Sequence, residues 1–117
     1  MAEITTGEEL SIQVKSGEFY YGEDFAGLDC KGIDISGGIF SETCFDNCDF
    51  SDANLKQAIF NNCSMKNSVF SGANLNETNF IECDLEKAVF KEIKVEFLKF
   101  IKSEIKESDF SKAMLKG

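Results

Sequence analysis

The 117-residue sequence has no histidine, proline, tryptophan or arginine, and all 12 of its basic residues are lysine. Without histidine there is no ordinary Ser–His or Cys–His pair to activate a nucleophile. Cationic excess is missing too. Against the 12 lysines stand 21 acidic residues, a net charge of −9, which argues against binding nucleic acid or an anionic membrane through charge. No apolar run approaches the length of a bilayer span. Met1 to Leu10 carries Glu3, Glu8 and Glu9 and has neither a basic n-region nor an apolar h-region, so no targeting segment is expected. The expected compartment is the cytoplasm. Five cysteines, an odd number, match no zinc or redox spacing. They are expected as free thiols, with no metal or cofactor.

What the sequence does have is a period. Every fifth residue from Tyr20 to Leu115 is uncharged, and most are large and apolar; Phe40, Phe45, Phe50, Leu55, Phe60 and Met65 are a typical run. Two residues before each comes a second, usually small set, such as Ala53, Ala58, Cys63, Ser68, Ala73 and Thr78. Five is neither the period of a strand nor that of a helix. A single strand would alternate these residues between faces, and a helix would scatter them. The chain must therefore turn at the same point of every pentad. A coil of square cross-section buries all of them, with one pentad per side and 20 residues per turn, stacked at roughly the 4.8 Å strand spacing.

Residues 20 apart should then match. One column reads Phe40, Phe60, Phe80, Phe100, and the opposite one Phe50, Phe70, Phe90, Phe110. Between them lie Leu55 and Leu75 on one side and Phe45, Met65 and Leu85 on the other. Sorting phenylalanine onto two opposite sides predicts stacked rings in the core.

Asp52-Ala53-Asn54-Leu55, Gly72-Ala73-Asn74-Leu75 and Glu82-Cys83-Asp84-Leu85 resemble the A-(D/N)-L-x-x motif of pentapeptide-repeat proteins, and Phe25 to Phe90 follows the pattern for fourteen pentads. The resemblance implies an all-β fold, a right-handed quadrilateral β-helix; the period alone reaches the square coil but not its hand. Four to five 20-residue coils fit the length. The expected organisation is one domain, with residues 1–24 as an N-terminal cap segment and 25–117 as the β-helix. The family includes acidic rods that resemble duplex DNA and protect type II topoisomerases such as gyrase from quinolones.

The ends read less clearly. Leu10, Ile12 and Val14 alternate, which favours a short strand, while Thr6-x-x-Glu9 is a plausible capping box and argues for a helix. Residues 91–107 also satisfy helical spacing, yet Ile93, Val95, Leu98, Phe100 and Ile105 keep the pentad register, which favours coil.

No catalysis is expected, because the register sends the carboxylates outward into water. Cys63 and Cys83 should be neighbours one turn apart, as packing residues. Cys30 and Cys48 should point inward and Cys44 outward. Charge is concentrated early: residues 1–24 are net −5 and 25–117 net −4, with signs alternating up the coil at Asp46, Lys66, Glu86 and Lys106. Ile39 and Ile59 stack at the outward position before the core residue, and Ile81 and Ile101 at the one after it. Phe97 is expected nearby. These five form the candidate interface for a protein partner or a homodimer. The sequence thus suggests a non-enzymatic binding or scaffold module, with the acidic topoisomerase-binding DNA mimic as the alternative.

Overall fold

The computed structural model describes residues 3–117. A helix, α1 (Gly7–Lys15), precedes about five turns of parallel coil. The coil begins at β1 (Tyr20–Tyr21) and rises through β2 (Ile39–Ser41), β3 (Ile59–Asn61), β4 (Asn79–Ile81), β5 (Lys94–Glu96), β6 (Lys99–Ile101) and β7 (Met114–Lys116). One side carries a continuous five-stranded parallel sheet in the order β1-β2-β3-β4-β6. Its register is 20 residues throughout, with Tyr20 opposite Phe40, Phe40 opposite Phe60, Phe60 opposite Phe80 and Phe80 opposite Phe100. Below, this is face one. Faces two, three and four, centred on Phe45, Phe50 and Leu55, are held mainly by single bridges at the same interval, such as Cys44 to Ser64, Asp49 to Val69 and Asn54 to Asn74.

The core fills as the period requires. Phe40, Phe60, Phe80 and Phe100 stack with centroids 5.2–5.4 Å apart and planes within 11°. Phe50, Phe70, Phe90 and Phe110 stack at 4.8–5.2 Å and within 7°. The two stacks meet edge-on, as at Phe70 and Phe80, 5.7 Å apart and 77° inclined. Each ring therefore lies flat on its own column and points its positive edge at the face of the other, the two arrangements that aromatic quadrupoles favour. Leu55 and Leu75 are fully buried between them.

The corners explain the rest of the motif. The second residue after every core residue has positive φ, for example Asn47 at 60°, Asp52 at 60°, Lys87 at 60° and Gly32 at 67°. At most corners of faces two to four the N–H three residues after the core residue donates back to its carbonyl, as Cys48 to Phe45 and Ala53 to Phe50. The corners that follow face one do not close this way, for no such bond joins residue 43, 63, 83 or 103 to the core residue before it. There, side chains take over. Cys83 Sγ donates to the Phe60 carbonyl at 3.1 Å and Ser103 Oγ to that of Phe80 at 3.0 Å, while the Cys83 N–H donates to Ser103 Oγ at 3.0 Å. The same side-chain bond to the carbonyl 23 residues back recurs at Cys48, Ser68, Thr78 and Ser108, at corners that also close through the backbone.

Two readings of the ends resolve differently. Residues 7–15 form a helix, not the strand that Leu10, Ile12 and Val14 suggest. Thr6 is its N-cap: the hydroxyl oxygen accepts from the Glu9 N–H at 3.1 Å, and the hydroxyl donates to Glu9 Oε1 at 3.0 Å. The helix buries Leu10 and Val14, one turn apart, over the first coil and leaves Ile12 exposed. It lies so close that a Cβ on Gly7 would run into the Asp29 carbonyl. Ser11 Oγ adds a hydrogen bond to the Asp34 carbonyl at 2.6 Å. Residues 91–107, in contrast, are coil, with β5 and β6 in register. The core columns are less complete than the sequence implies. Phe100 and Phe110 are only half-buried, and Ile105 and Leu115 are exposed, because no turn lies above them among the described residues. No helix among the described residues is long and apolar enough to cross a membrane.

Candidate functional site

Each face of the coil shows solvent two outward positions per turn, one before and one after the core residue. On faces two to four the position before the core residue is often Asp or Asn, and its side chain spans that residue. Asp24, Asp29, Asp34, Asp49, Asn54, Asn74, Asp84 and Asp109 each accept from the N–H two residues on, at 2.9–3.1 Å. These Asx turns are local and sterically undemanding. They give the D/N of the motif a backbone task and make those faces polar. Serine hydroxyls at 36, 51 and 111 add a second bond to the same oxygen, which holds the Asp34 and Asp109 carboxyls below the usual range. At Asp49, burial pushes the pKa up, but the Ser51 hydrogen bonds outweigh it and the result is lowered.

Face one has no Asx turns. Its backbone is regular strand, and the freed position carries Phe19, Ile39, Ile59, Asn79 and Lys99. The position after the core residue carries Tyr21, Ser41, Asn61, Ile81 and Ile101. One of these ten residues, Lys99, is charged. The equivalent ten on face two include seven charged residues, and those on faces three and four five each.

The candidate interface residues fall on this face with two qualifications. Ile39 and Ile59 pair across β2 and β3, and Ile81 and Ile101 across β4 and β6, but the two pairs occupy opposite columns and so lie on a diagonal. Ile39, Ile59 and Ile81 are half-buried and Ile101 is 42% exposed. Phe97 is 53% exposed but sits at the corner entering the face, with φ 58° and close to Gly117. Two residues outside the sequence-derived set extend the patch. Phe19 and Tyr21, 74% and 65% exposed, flank Tyr20 in the first turn. Counting back 20 from Ile39 and Ser41 finds both. The carboxylate of Glu42 close to Tyr21 raises its phenol pKa.

The cysteines are free thiols. Cys30, Cys48, Cys63 and Cys83 are buried and Cys44 is half-buried. Burial pushes Cys30 and Cys48 up to about 12. The neighbouring Cys83 and burial raise the Cys63 thiol, while the same neighbour lowers that of Cys83. Among the described residues no group of three or more His, Cys, Asp or Glu is placed to hold a metal ion. Ion pairs run up the coil between turns, Lys66 to Asp84 and Lys91 to Asp109 at 3.6 Å, all on exposed side chains where each contributes little. Along the axis the charge is uneven. Residues 1–55 hold 12 acids and two lysines, net −10; residues 56–117 hold nine acids and ten lysines, net +1.

Stacked, four-sided turns in parallel register define a β-solenoid built on a five-residue unit. The chain is a pentapeptide-repeat protein: the family model for pentapeptide repeats matches eight copies over residues 48–86, and the fold is that family's right-handed quadrilateral β-helix. Similar solved structures include a trypsin-treated variant of QnrB1, a plasmid-mediated fluoroquinolone resistance protein. It is 19% identical, with a TM-score of 0.54, over 80% of this chain and 70% of that one. Full-length QnrB1 is 20% identical, with a TM-score of 0.52, over 83% of this chain and 65% of QnrB1. A pentapeptide-repeat protein from Nostoc PCC 7120 is 13% identical over 97% of this chain and 99% of that one, with a TM-score of 0.46. At these identities the likeness concerns the fold alone. A sequence search of curated proteins gave no match.

Proposed function

We propose that this protein is a non-enzymatic binding module that docks a protein partner on the outer surface of the β1-β2-β3-β4-β6 sheet. One observation carries the reading: a single charge among ten outward residues on that face, against five to seven on each of the others. Interface centres are depleted of charge and enriched in aromatic side chains, because charges are costly to desolvate. Face one has that composition, with Phe19 and Tyr21 at one end and isoleucines along it. It is also flat, pinned by the sheet, and loses little freedom on binding. A benzophenone amino acid placed at Asn61 should cross-link to protein on illumination, and one placed at Lys56 on face four should not. Equal yields from both positions end this reading.

A second reading draws on the charge of −10 in residues 1–55. An acidic half-rod of this kind supports the family-derived alternative, an acidic mimic of duplex DNA that binds a type II topoisomerase. It predicts that the protein preserves gyrase supercoiling in the presence of a quinolone. No protection at micromolar protein removes it.

A further inference from the structure

We infer that the partner on face one is a second copy of the same chain, laid antiparallel along the rod about a two-fold axis that passes through β3. The inference rests on the docking-face reading above. Three observations lead to it.

The first is area. The molecule measures 40 × 21 × 20 Å, and the five strands of face one take up about 24 Å of that length, so full overlap of two such faces covers on the order of 500 Å² per copy, the share of a small, reversible interface. A partner rod lying crosswise would cover only part of that. Full overlap is reached with the two axes side by side.

The second is charge. Two rods aligned in the same direction place the −10 half against another −10 half. Reversed, each −10 half lies beside the +1 half of its neighbour.

The third is the diagonal of apolar residues. A two-fold axis along the rod sets the column before the core residue against the column after it, at equal height. Ile39 then meets Ser41 of the second copy, Ile59 meets Asn61, Ile81 meets Asn79 and Ile101 meets Lys99, so every isoleucine of the face meets a polar group and Phe19 with Tyr21 is the one apolar pairing. A two-fold axis across the rod at β3 keeps each column against itself and reverses its order. Tyr21 then meets Ile101 of the second copy, Phe19 meets Lys99 and Ile59 meets Ile59, while Ile39 meets Asn79, Ser41 meets Ile81 and Asn61 meets Asn61. The first is an apolar pair, the second places the only ammonium of the face over an aromatic ring, and the third is an apolar contact on the axis. A self-complementary surface of this kind is what a closed, isologous dimer requires.

Light scattering at high micromolar concentration should give twice the 13.0 kDa chain mass. Ile59→Lys should halve it, because two ammonium groups meet on the axis; Asn61→Lys, at an exposed site, does the same where folding is not at issue. In a Cys44→Ser background, the double variant Tyr21→Cys, Ile101→Cys should oxidise to a covalent dimer. The two positions lie four strand spacings apart in one chain, about 19 Å, too far for an internal disulfide, and a parallel dimer would hold them equally far apart. A monomeric wild type overturns the inference, as does a dimer that survives both lysine substitutions or fails to form the disulfide. A monomer whose Asn61 photoprobe still labels other proteins overturns the second copy and leaves the docking face standing.

Discussion

The core stack can be tested by making one substitution at two heights. Phe70 is fully buried, stacked between Phe50 at 5.2 Å and Phe90 at 4.9 Å, with Phe80 edge-on at 5.7 Å. Phe70→Ala removes a ring that closed turns above and below cannot replace by collapsing. The expected loss is about 3–5 kcal/mol, a large fraction of the roughly 5–15 kcal/mol that holds a domain together. Phe110 is in the same column but half-buried, with one stacking neighbour, Phe90 at 4.8 Å. About half as much apolar surface is at stake there, so Phe110→Ala should cost about 1–2.5 kcal/mol. Urea unfolding followed by circular dichroism reads both. With a slope of roughly 2 kcal/mol per molar, the Phe70 midpoint should fall by about 2 M and the Phe110 midpoint by about 1 M or less. Tyr20 and Tyr21 report the first turn independently by fluorescence, and for wild type the two signals should coincide. Equal losses at the two positions would refute the graded core. A Phe70→Ala loss below about 1 kcal/mol would refute the register itself.

Three further expectations follow from the corners, thiols and Asx turns. Gly32 has φ 67° and an added Cβ would touch nothing within 4 Å, so Gly32→Ala should cost about 1 kcal/mol from backbone strain alone and Gly32→Asn less; no loss in melting temperature with alanine would contradict the left-handed corner. An Ellman titration of the native protein at pH 8 should label Cys44 at most, with the four buried thiols appearing only in denaturant, and rapid labelling of two or more would mean the corners open. The carboxyl pKa values of Asp34, Asp49 and Asp109 are lowered in the folded state. Their contribution is complete above the unfolded carboxylate range near about pH 4 and is lost as pH falls through the folded values. Stability should therefore hold from pH 8 to 5 and drop below about pH 4, and Ser51→Ala should move the drop upward; an unchanged acid midpoint would show that the serine bonds do not matter.

The coil was legible in the sequence because its period is set by backbone geometry and repeated often enough to exclude chance. Extending five to 20 placed Cys63 beside Cys83 and kept residues 91–107 in the coil despite their helical spacing. The cap was misread for a physical reason. Ile12 is an exposed apolar residue, and it turned a helical pair, Leu10 and Val14, into an apparent strand; the capping threonine carried the correct information. Phe19 and Tyr21 were missed because the cap and coil were divided at residue 24, whereas β1 already pairs at Tyr20. The weak burial of Phe100, Phe110, Ile105 and Leu115 has no local signature, since their identity satisfies the register and only a covering turn would bury them. The missing backbone hydrogen bond at the corners after face one has no signature in the sequence.

The hydrogen bonds between turns run along the axis of the rod, some from an N–H to the carbonyl of the next turn, as Phe45 to Ser64, and others to that of the turn before, as Ser64 to Thr43. A pull along that axis loads one turn's bonds at a time and unzips them, so the rod yields turn by turn at modest force. Each released turn frees 20 residues, roughly 65 Å of extended chain for about 5 Å of folded length. A sideways pull meets every turn's packing at once. The protein is thus soft when stretched and stiff when bent, a mechanical anisotropy written into the direction of its hydrogen bonds.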